Sequence, residues 1–291
     1  MIRSASLNER EEALRFLFQH SSEQEQRITA ALSLMSSGEL SPDELLILHD
    51  DFTMRAVLLF QTLPGAAVLF WPPMGEDQGQ DLLLQHSRSW LHEEGRKVAQ
   101  ALFDEEERAL DASLIRNGFQ HVSVLWYLRH FLHLSVSELK SKDRLTILTA
   151  HDHHELFVST IQKTYGQTLD FPELNNRRTL EEILQGHQGE ENIWWVALLQ
   201  NEPVGVALMT AHQNPDCWEL EYMGVTPQAR GQGIGREILT KVLLEAKTAE
   251  MMEVNLTVDQ RNTPARSLYR SMGFEPFDSR EVYLSFLQED G

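Results

Sequence analysis

Val225-Thr226-Pro227-Gln228-Ala229-Arg230-Gly231-Gln232-Gly233-Ile234-Gly235 is the stretch on which the reading of this chain turns. It follows a strand-like run, Trp218 to Val225, and opens an amphipathic helix reaching about Ala249. A glycine-rich turn between a strand and a helix leaves backbone N–H groups unpaired, at the end where the helix dipole is positive. Gly231, Gly233 and Gly235 permit positive φ and close approach, and Arg230 adds a cation. Such a turn suits a diphosphate. It is not a Walker A loop, because no Gly-Lys-Ser/Thr follows. A dinucleotide-binding fold is disfavoured, because the preceding strands form hairpins and the glycine spacing differs.

Working outward, Glu253 to Asp259 has strand character, and Thr263 to Met272 reads as a helix closed by Gly273 as C-cap. Upstream, Ile193 to Leu199 and Val204 to Thr210 read as strands joined by the turn Gln200-Asn201-Glu202-Pro203. Before them come a β-rich run, Arg144 to Thr149, and helical spacing from His151 to Tyr165. Thr179 with Glu182 forms a capping box for a second helix, Thr179 to Leu184. Glu281 to Phe286 reads as a further strand. The order is strand, two helices, an antiparallel run, helix, strand, helix, strand. That order predicts a mixed α/β sheet rather than an alternating parallel one.

Arg230, Gly233 and Gly235, preceded by Val-x-Pro, resemble the coenzyme A loop of the GNAT (N-acetyltransferase) family. Asn262, Ala265, Leu268-Tyr269 and Gly273-Phe274, after the strand Val254 to Val258, resemble that family's second signature. Both signatures occur in order with one helix between them, over about Glu219 to Phe274, and the strand order extends the fit back to Arg144. The resemblance implies a fold of the α/β (α+β) class, a mixed and mostly antiparallel sheet with helices on both faces. It implies acetyl-CoA as cosubstrate and no metal, with the cofactor between two splayed parallel strands, Trp218–Val225 and Glu253–Asp259. Backbone groups of Met223, Gly224 and Val225 would bond the pantetheine amides. Gln228, Arg230, Gly231, Gln232, Gly233, Ile234 and Gly235 would hold the pyrophosphate, and Asn262 would bond the cofactor or cap the next helix.

The implied reaction is direct attack of a primary amine on the thioester in a ternary complex, needing a proton sink, oxyanion donors and an acid for the leaving thiolate. Tyr269 stands where many family members place that acid; the alternative is packing on its helix. Glu219 and Glu221 lie two apart on one strand, so both face one side, and they are level candidates for the base. A non-catalytic acyl-CoA sensor or assembly module is the rival reading. The acceptor, a small-molecule or peptide amine, is not specified by any residue.

The first half is less regular. Glu11 to Leu34 reads as helical, Thr53 to Phe60 and Ala66 to Trp71 as strands about the turn Leu63-Pro64-Gly65. Asp81 to Leu102 reads as a long helix that Gly95 could divide, Ala109 to Asn117 as a shorter one, and Val122 to Tyr127 as a strand. A shift of 155 residues puts Pro72 on Pro227 and Gly118-Phe119 on Gly273-Phe274. This predicts two tandem copies: a degenerate GNAT-like domain over 1–138 and a catalytic one over 143–291, parted where Ser137 to Asp143 (SELKSKD) interrupts the apolar pattern. Under the shift, Arg230 falls on Gly75, and Glu76 and Asp77 would face a diphosphate, a repulsive arrangement. Tyr269 falls on Leu114 or Ile115. The first copy is therefore expected not to bind coenzyme A, and it shows no counterpart of the Arg144 strand.

Composition sets the outer bounds. A chain of 291 residues that is 42% apolar suits two domains with buried cores. The net charge of −19 is spread through both halves without a basic face, which disfavours nucleic acid; attraction of a cationic acceptor is the sharper reading. No apolar run nears the roughly 20 residues of a membrane span, and no secretory apolar region opens the sequence. With one cysteine, Cys217, no internal disulfide forms, and a cytoplasmic location is expected. His151, His153 and His154 point in different directions from one helix start, so no metal site is expected there. Trp194 and Trp195 alternate across a strand.

Overall fold

The turn Gln200-Asn201 has positive φ at both residues, 52° and 67°, the type I′ geometry that matches the right-handed twist of paired strands. It fixes the hairpin at the centre of the second half, with Leu199 opposite Glu202. The computed structural model describes residues 1–50, 53–133, 144–174, 177–187, 192–211 and 216–287.

In the first half the order is β1 (Ile2–Ser4), α1 (Arg10–Leu17), α2 (Gln24–Ser37), β2 (Leu45–His49), β3 (Met54–Leu63), β4 (Ala67–Phe70), β5 (Met74–Gly75), α3 (Asp77–Glu93), β6 (Val98–Phe103), α4 (Ala112–Arg116) and β7 (Gln120–Phe131). The second half follows with β8 (Leu145–Thr149), α5 (His154–Thr164), α6 (Leu180–Gln185), β9 (Asn192–Leu199), β10 (Glu202–Ala211), β11 (Cys217–Val225), α7 (Ile234–Thr248), β12 (Glu253–Asp259), α8 (Thr263–Ser271) and β13 (Glu275–Phe286). Thr179 caps α6 with Glu182 closing the box, as the sequence predicts. The chain divides into two compact units.

Unit 1 comprises Met1–Ser123, Asn176–Gly186 and Arg280–Gly291. Its sheet runs β1, β2, β3, β4, β6, and then residues 281–286 of β13; β4 and β6 are parallel and the other neighbours antiparallel. Five successive residues of β3, Ala56 to Phe60, are fully buried, because both sheet faces are covered. Leu58 and Phe60 meet Leu83 and Leu84 of α3, while Val57 and Leu59 meet Leu14 and Ile28 of α1 and α2.

Unit 2 comprises Val124–Asn175 and His187–Ser279. Its sheet runs β8, β9, β10, β11, β12, and then residues 125–131 of β7; here β11 and β12 are the parallel pair. Ala207, Met209 and Leu220 pack on Ile238 and Val242 of α7. On the opposite face Phe157 of α5 stacks on Trp194 with centroids 5.2 Å apart, and Trp195 belongs to the α7 side.

The two sheets have one strand order and one parallel pair at the same place, so the tandem repeat extends through the whole fold. The helix before each last strand also ends alike. Gly118 and Gly273 take φ of 88° and 90°, and the N–H groups of Phe119 and Phe274 bond the carbonyls of Leu114 and Tyr269, both at 3.0 Å. Tyr269 therefore corresponds to Leu114, not Ile115.

Four expectations need correction. β1 is the counterpart of the Arg144 strand; at three residues it is too short to show a pattern, yet it pairs with β2 from Ile2–Leu48 to Ser4–Leu46. The long helix ends at Glu93, and Val98 to Phe103 is a strand after the turn at Gly95, where φ is 74°. The stretch Glu11 to Leu34 is two helices. One cut between 138 and 143 does not describe the compact units, because the last strand of each sheet comes from the other half of the sequence. Strand partners are chosen by an open edge and matching faces, not by closeness along the chain. The expected boundary itself lies, from residue 134, outside the described residues.

Candidate active site

In unit 2 the parallel pair β11–β12 is in register from Cys217–Glu253 to Leu220–Leu256 and goes no further. Beyond Leu220 the strands part, so the β11 edge that faces β12 loses its partner. The parting coincides with a bulge: Met209 pairs with Leu220 and Leu208 with Tyr222, leaving Glu221 as the extra residue. The gap is a cleft of about 790 Å³, walled by β11 from Leu220 to Val225, Thr257 of β12, the glycine loop, α8, and the segment Gln167–Asp170.

One end of this cleft is built for an anion. Gly233 is the N-cap of α7 with φ of 80°, a left-handed geometry that glycine adopts without strain, and no side chain caps the helix. Glu237 is the first α7 amide with a backbone partner, Gly233 O at 3.2 Å. The amides of residues 231–236 make no backbone hydrogen bond among the described residues. Gly231, Gly233, Ile234 and Gly235 line the cleft, whereas Gln228 and Gln232 do not; the Gln232 side chain donates back to Gln228 O at 2.9 Å.

Arg230 lines the cleft, but four of its N–H donors are committed elsewhere. They bond Val225 O (3.1 Å), Gln167 O (3.0 Å), Thr164 O (3.0 Å) and Gly166 O (2.9 Å). Of five donors this leaves one, so Arg230 braces the loop against the end of α5 while keeping its charge at the site. Arg144 braces the other side, donating to Gln232 O at 3.1 Å and to the buried Glu237 at 2.6 Å. Arg236, which the sequence reading did not single out, also lines the cleft and donates to Met272 Sδ at 2.9 Å.

The inner end carries the titratable groups. Tyr269 is 7% exposed and lines the cleft. Burial first, then the charge of Asp170 and the neighbouring Tyr222, pushes its phenol well above the ordinary range, so it holds its proton. Asn262 lines the cleft as the N-cap of α8, accepting from Ala265 N at 3.3 Å. Tyr222 and Thr164 share a hydroxyl hydrogen bond of 2.8 Å, and burial raises the Tyr222 phenol to about 12. Gly224 explains its own identity here: a Cβ would stand 2.5 Å from Thr164 Oγ1, so α5 sits this close only over glycine.

The two candidate bases are placed differently. Glu221 lines the cleft and Glu219 does not. Thr210 Oγ1 donates to Glu221 Oε1 at 2.5 Å, and His187 Nδ1 lies 2.8 Å from Oε2. Glu219, opposite Thr210 in the sheet, bears instead on Cys217. Burial, with the charges of Glu253 and Glu219, raises that thiol to about 12, so it is no nucleophile.

Asp170 and His187 escaped the sequence reading because both lie in irregular segments with no motif. Asp170 lines the cleft and accepts the Asp259 amide at 2.8 Å, on the strand that has parted from β11. Asp259 returns the bond through Phe171 N at 3.1 Å, and Arg261 ties Asp259 (2.6 Å) to Glu173 (2.6 Å). Burial raises the Asp170 carboxyl above its ordinary value.

Unit 1 treats the corresponding place differently. β5 pairs with β3 through Ala56–Gly75 and Val57–Met74, the Glu76 amide bonds Arg55 O at 3.2 Å, and α3 starts at once with Glu76 as N-cap. The Glu76 carboxylate meets Arg55 at 2.9 Å.

Among the described residues no group of three or more His, Cys, Asp or Glu side chains is arranged to hold a metal. No helix of the described residues is long and apolar enough to cross a membrane.

Residues 161–274 match the family model for the acetyltransferase (GNAT) family. The peptidyl-lysine N-acetyltransferase YjaB of Salmonella typhimurium is 29% identical over 132 residues, 45% of this chain and 83% of that protein. Human N-acetylaspartate synthetase is 32% identical over 91 residues, and a mycothiol acetyltransferase of Arthrobacter 36% over 70; these spans are 31% and 24% of this chain. The chain spans only 30% and 22% of the length of these last two relatives. Among solved structures, a GCN5-related N-acetyltransferase from Sphaerobacter thermophilus covers the whole chain, and 96% of its own, at a TM-score of 0.67 and 15% identity. A tandem GNAT protein from the clavulanic acid biosynthesis pathway also covers the whole chain, and 99% of its own, at a TM-score of 0.55 and 12% identity. At these identities the structures speak for the fold alone, and the second of them for a fold in two copies.

Proposed function

Residues 161–274 are a GNAT-family N-acetyltransferase domain, and from that premise we propose that the protein transfers an acetyl group from acetyl-CoA to a primary amine by direct attack in the cleft of unit 2. The observation that carries this reading is the parting of β11 from β12 at Leu220–Leu256, with unpaired amides at one end and Tyr269 and Glu221 at the other. The amides of residues 231–236 suit the pyrophosphate, with the charges of Arg230 and Arg236 beside them. The free edge of β11 at Met223 and Gly224 suits the pantetheine amides, while the Val225 carbonyl is already used by Arg230.

Within this reading Glu221 accepts the proton that the amine gives up as its nitrogen bonds the carbonyl carbon. Tyr269, kept protonated by burial, gives its proton to the thiolate as the carbon–sulfur bond breaks. Glu221 is favoured over Glu219 because only Glu221 borders the cleft. Asp170 adds a second acid group on the cleft wall, which suits a cationic acceptor.

The test combines calorimetry with thiol release. Acetyl-CoA is expected to bind, and free thiol to appear with at least one of spermidine, L-aspartate and a lysyl peptide. No heat of binding would overturn the reading outright. Binding without thiol release from any of the three would favour an acyl-CoA sensor.

A further inference from the structure

Arg144 stands just before β8, whose Leu145 is buried and pairs with Leu199, so the base of its side chain is fixed by the sheet. From there its guanidinium meets two groups at the diphosphate end of unit 2. Nη2 donates to Gln232 O at 3.1 Å, and Nε donates to Glu237 Oε1 at 2.6 Å. Arg144, Gln232 and Glu237 do not border the cleft, whereas Gly233 does. The first bond fixes a direction. In a trans peptide the C=O and the next N–H point opposite ways, and the chain has no cis peptide. With Gln232 O turned outward to Arg144, the Gly233 N–H is turned toward the cleft, and it has no backbone partner. The Gln232 side chain is pinned as well, by its bond to Gln228 O at 2.9 Å. Arg144 also closes the outer side of the turn, since a Cβ on Gly233 would stand 3.8 Å from Nη2.

The second bond disposes of a charge. Glu237 lies in the first turn of α7 with its side chain 5% exposed, and its Oε2 is buried without a hydrogen-bond partner among the described residues. An acid in a first turn suits the helix dipole. Left bare, it would repel a diphosphate bound at the same helix end. Arg144 is the cation paired with it. We propose that Arg144 is a positioning residue for the diphosphate of the cofactor, acting through the Gln232–Gly233 peptide, which it orients, and through Glu237, which it neutralises. This rests on the transferase reading of the cleft. The affinity of the glycine loop then depends on a side chain from the edge strand of the sheet, acting through groups outside the cleft.

The experiment uses the full chain, the probe amine that releases most thiol, and two donors: acetyl-CoA and acetyl-pantetheine, which has the same thioester and no diphosphate. The readout is the ratio of kcat/KM for acetyl-CoA to that for acetyl-pantetheine. Arg144→Ala should lower this ratio about 10-fold or more, the scale of a lost hydrogen bond to a charged group. The Kd of acetyl-CoA by calorimetry should rise by a similar factor. A merely structural role would slow both donors alike and leave the ratio where it was. Because Arg144→Ala strands a buried carboxylate, it can lose its fold. The double variant Arg144→Ala/Glu237→Gln strands none. Compared with Glu237→Gln alone it should still show a lower ratio, by less than the single variant does, since only the orienting bond is lost.

A ratio unaltered by Arg144→Ala, whether both donors slow or neither does, would overturn the proposal while the transferase reading stands. A fall in the single variant with none in the double comparison would strike out the orienting role and leave neutralisation alone. No binding of acetyl-CoA by the wild type would remove both proposals together.

Discussion

The two strand-to-helix passages of this chain, Val225–Ile234 in unit 2 and Met74–Asp77 in unit 1, answer one structural demand in opposite ways. In unit 2 the chain leaves β11, turns through Gly231 and Gly233 at positive φ, and enters α7 with its first amides unpaired. Two arginines, Arg230 and Arg144, hold that exposed arrangement in place. In unit 1 the passage is short, and the amide of Glu76 bonds Arg55 O. The carboxylate of Glu76 then stands at the helix entrance, paired to the Arg55 side chain. An anion site thus needs more than a helix start: its donors must be kept free, and something must support the backbone that keeps them so. The same contrast holds deeper in each unit. Tyr269 borders a cleft, whereas Leu114 at the matching place is fully buried beside Phe70 and Phe119.

The largest test of this comparison is a stop codon after Ser279. It removes the part of β13 that pairs with β6, so unit 1 should lose its folded state while unit 2 keeps its own sheet. Hydrogen exchange would show it: protection lost at Val98–Phe103 and retained at Glu253–Asp259. Loss in both units, or in neither, would break the division.

Next come the two matched side chains. Leu114→Ala should cost about 2–5 kcal/mol of stability in a denaturant titration and leave acetyl-CoA binding unchanged. Tyr269→Phe should do the reverse, lowering kcat about 100-fold with affinity kept, the scale of a lost general acid.

Arg230→Ala removes braces, and losing the net worth of one or two charged hydrogen bonds, about 1.5 kcal/mol each, weakens acetyl-CoA binding about 10–100-fold. Glu76→Lys should leave that binding as it is, and equal effects from the two would erase the contrast between the passages.

The smallest effect expected is alkaline. Tyr222 titrates near 12 in the fold against 10.0 for an ordinary phenol, so its folded pKa is the raised one. Stability is then complete below pH 10 and declines as pH rises through the folded value, since the unfolded chain releases that proton first. Urea midpoints at pH 9 and 11 should fall by less in Tyr222→Phe than in the wild type.

Most of the second half of the sequence was legible, because its elements are marked by local chemistry: the capping box at Thr179 and Glu182, the glycine after Met272, the turn at Gln200-Asn201. The cleft was legible as a pair of motifs. What could not be read was whatever depends on distant partners. That Arg230 also braces the loop could not be read, because its partner carbonyls, Thr164, Gly166 and Gln167, lie more than 60 residues back and carry no sequence mark. Gly224 was noted for its backbone, whereas its lack of a Cβ is what α5 requires. Glu219 and Glu221 were level on the strand because alternation does not reveal a bulge, and the bulge is what distinguishes them. β7 and β13 were each legible as strands, but nothing in either says which sheet it completes.

That exchange of strands has a consequence in the order of synthesis. Residues 125–131, the last strand of the second sheet, leave the ribosome before any other strand of that sheet exists. The strand that closes the first sheet, residues 281–286, comes only after all the rest of both sheets. The domain made first is therefore the one finished last, and until then the edge of β6 stays open, in need of protection from other nascent chains.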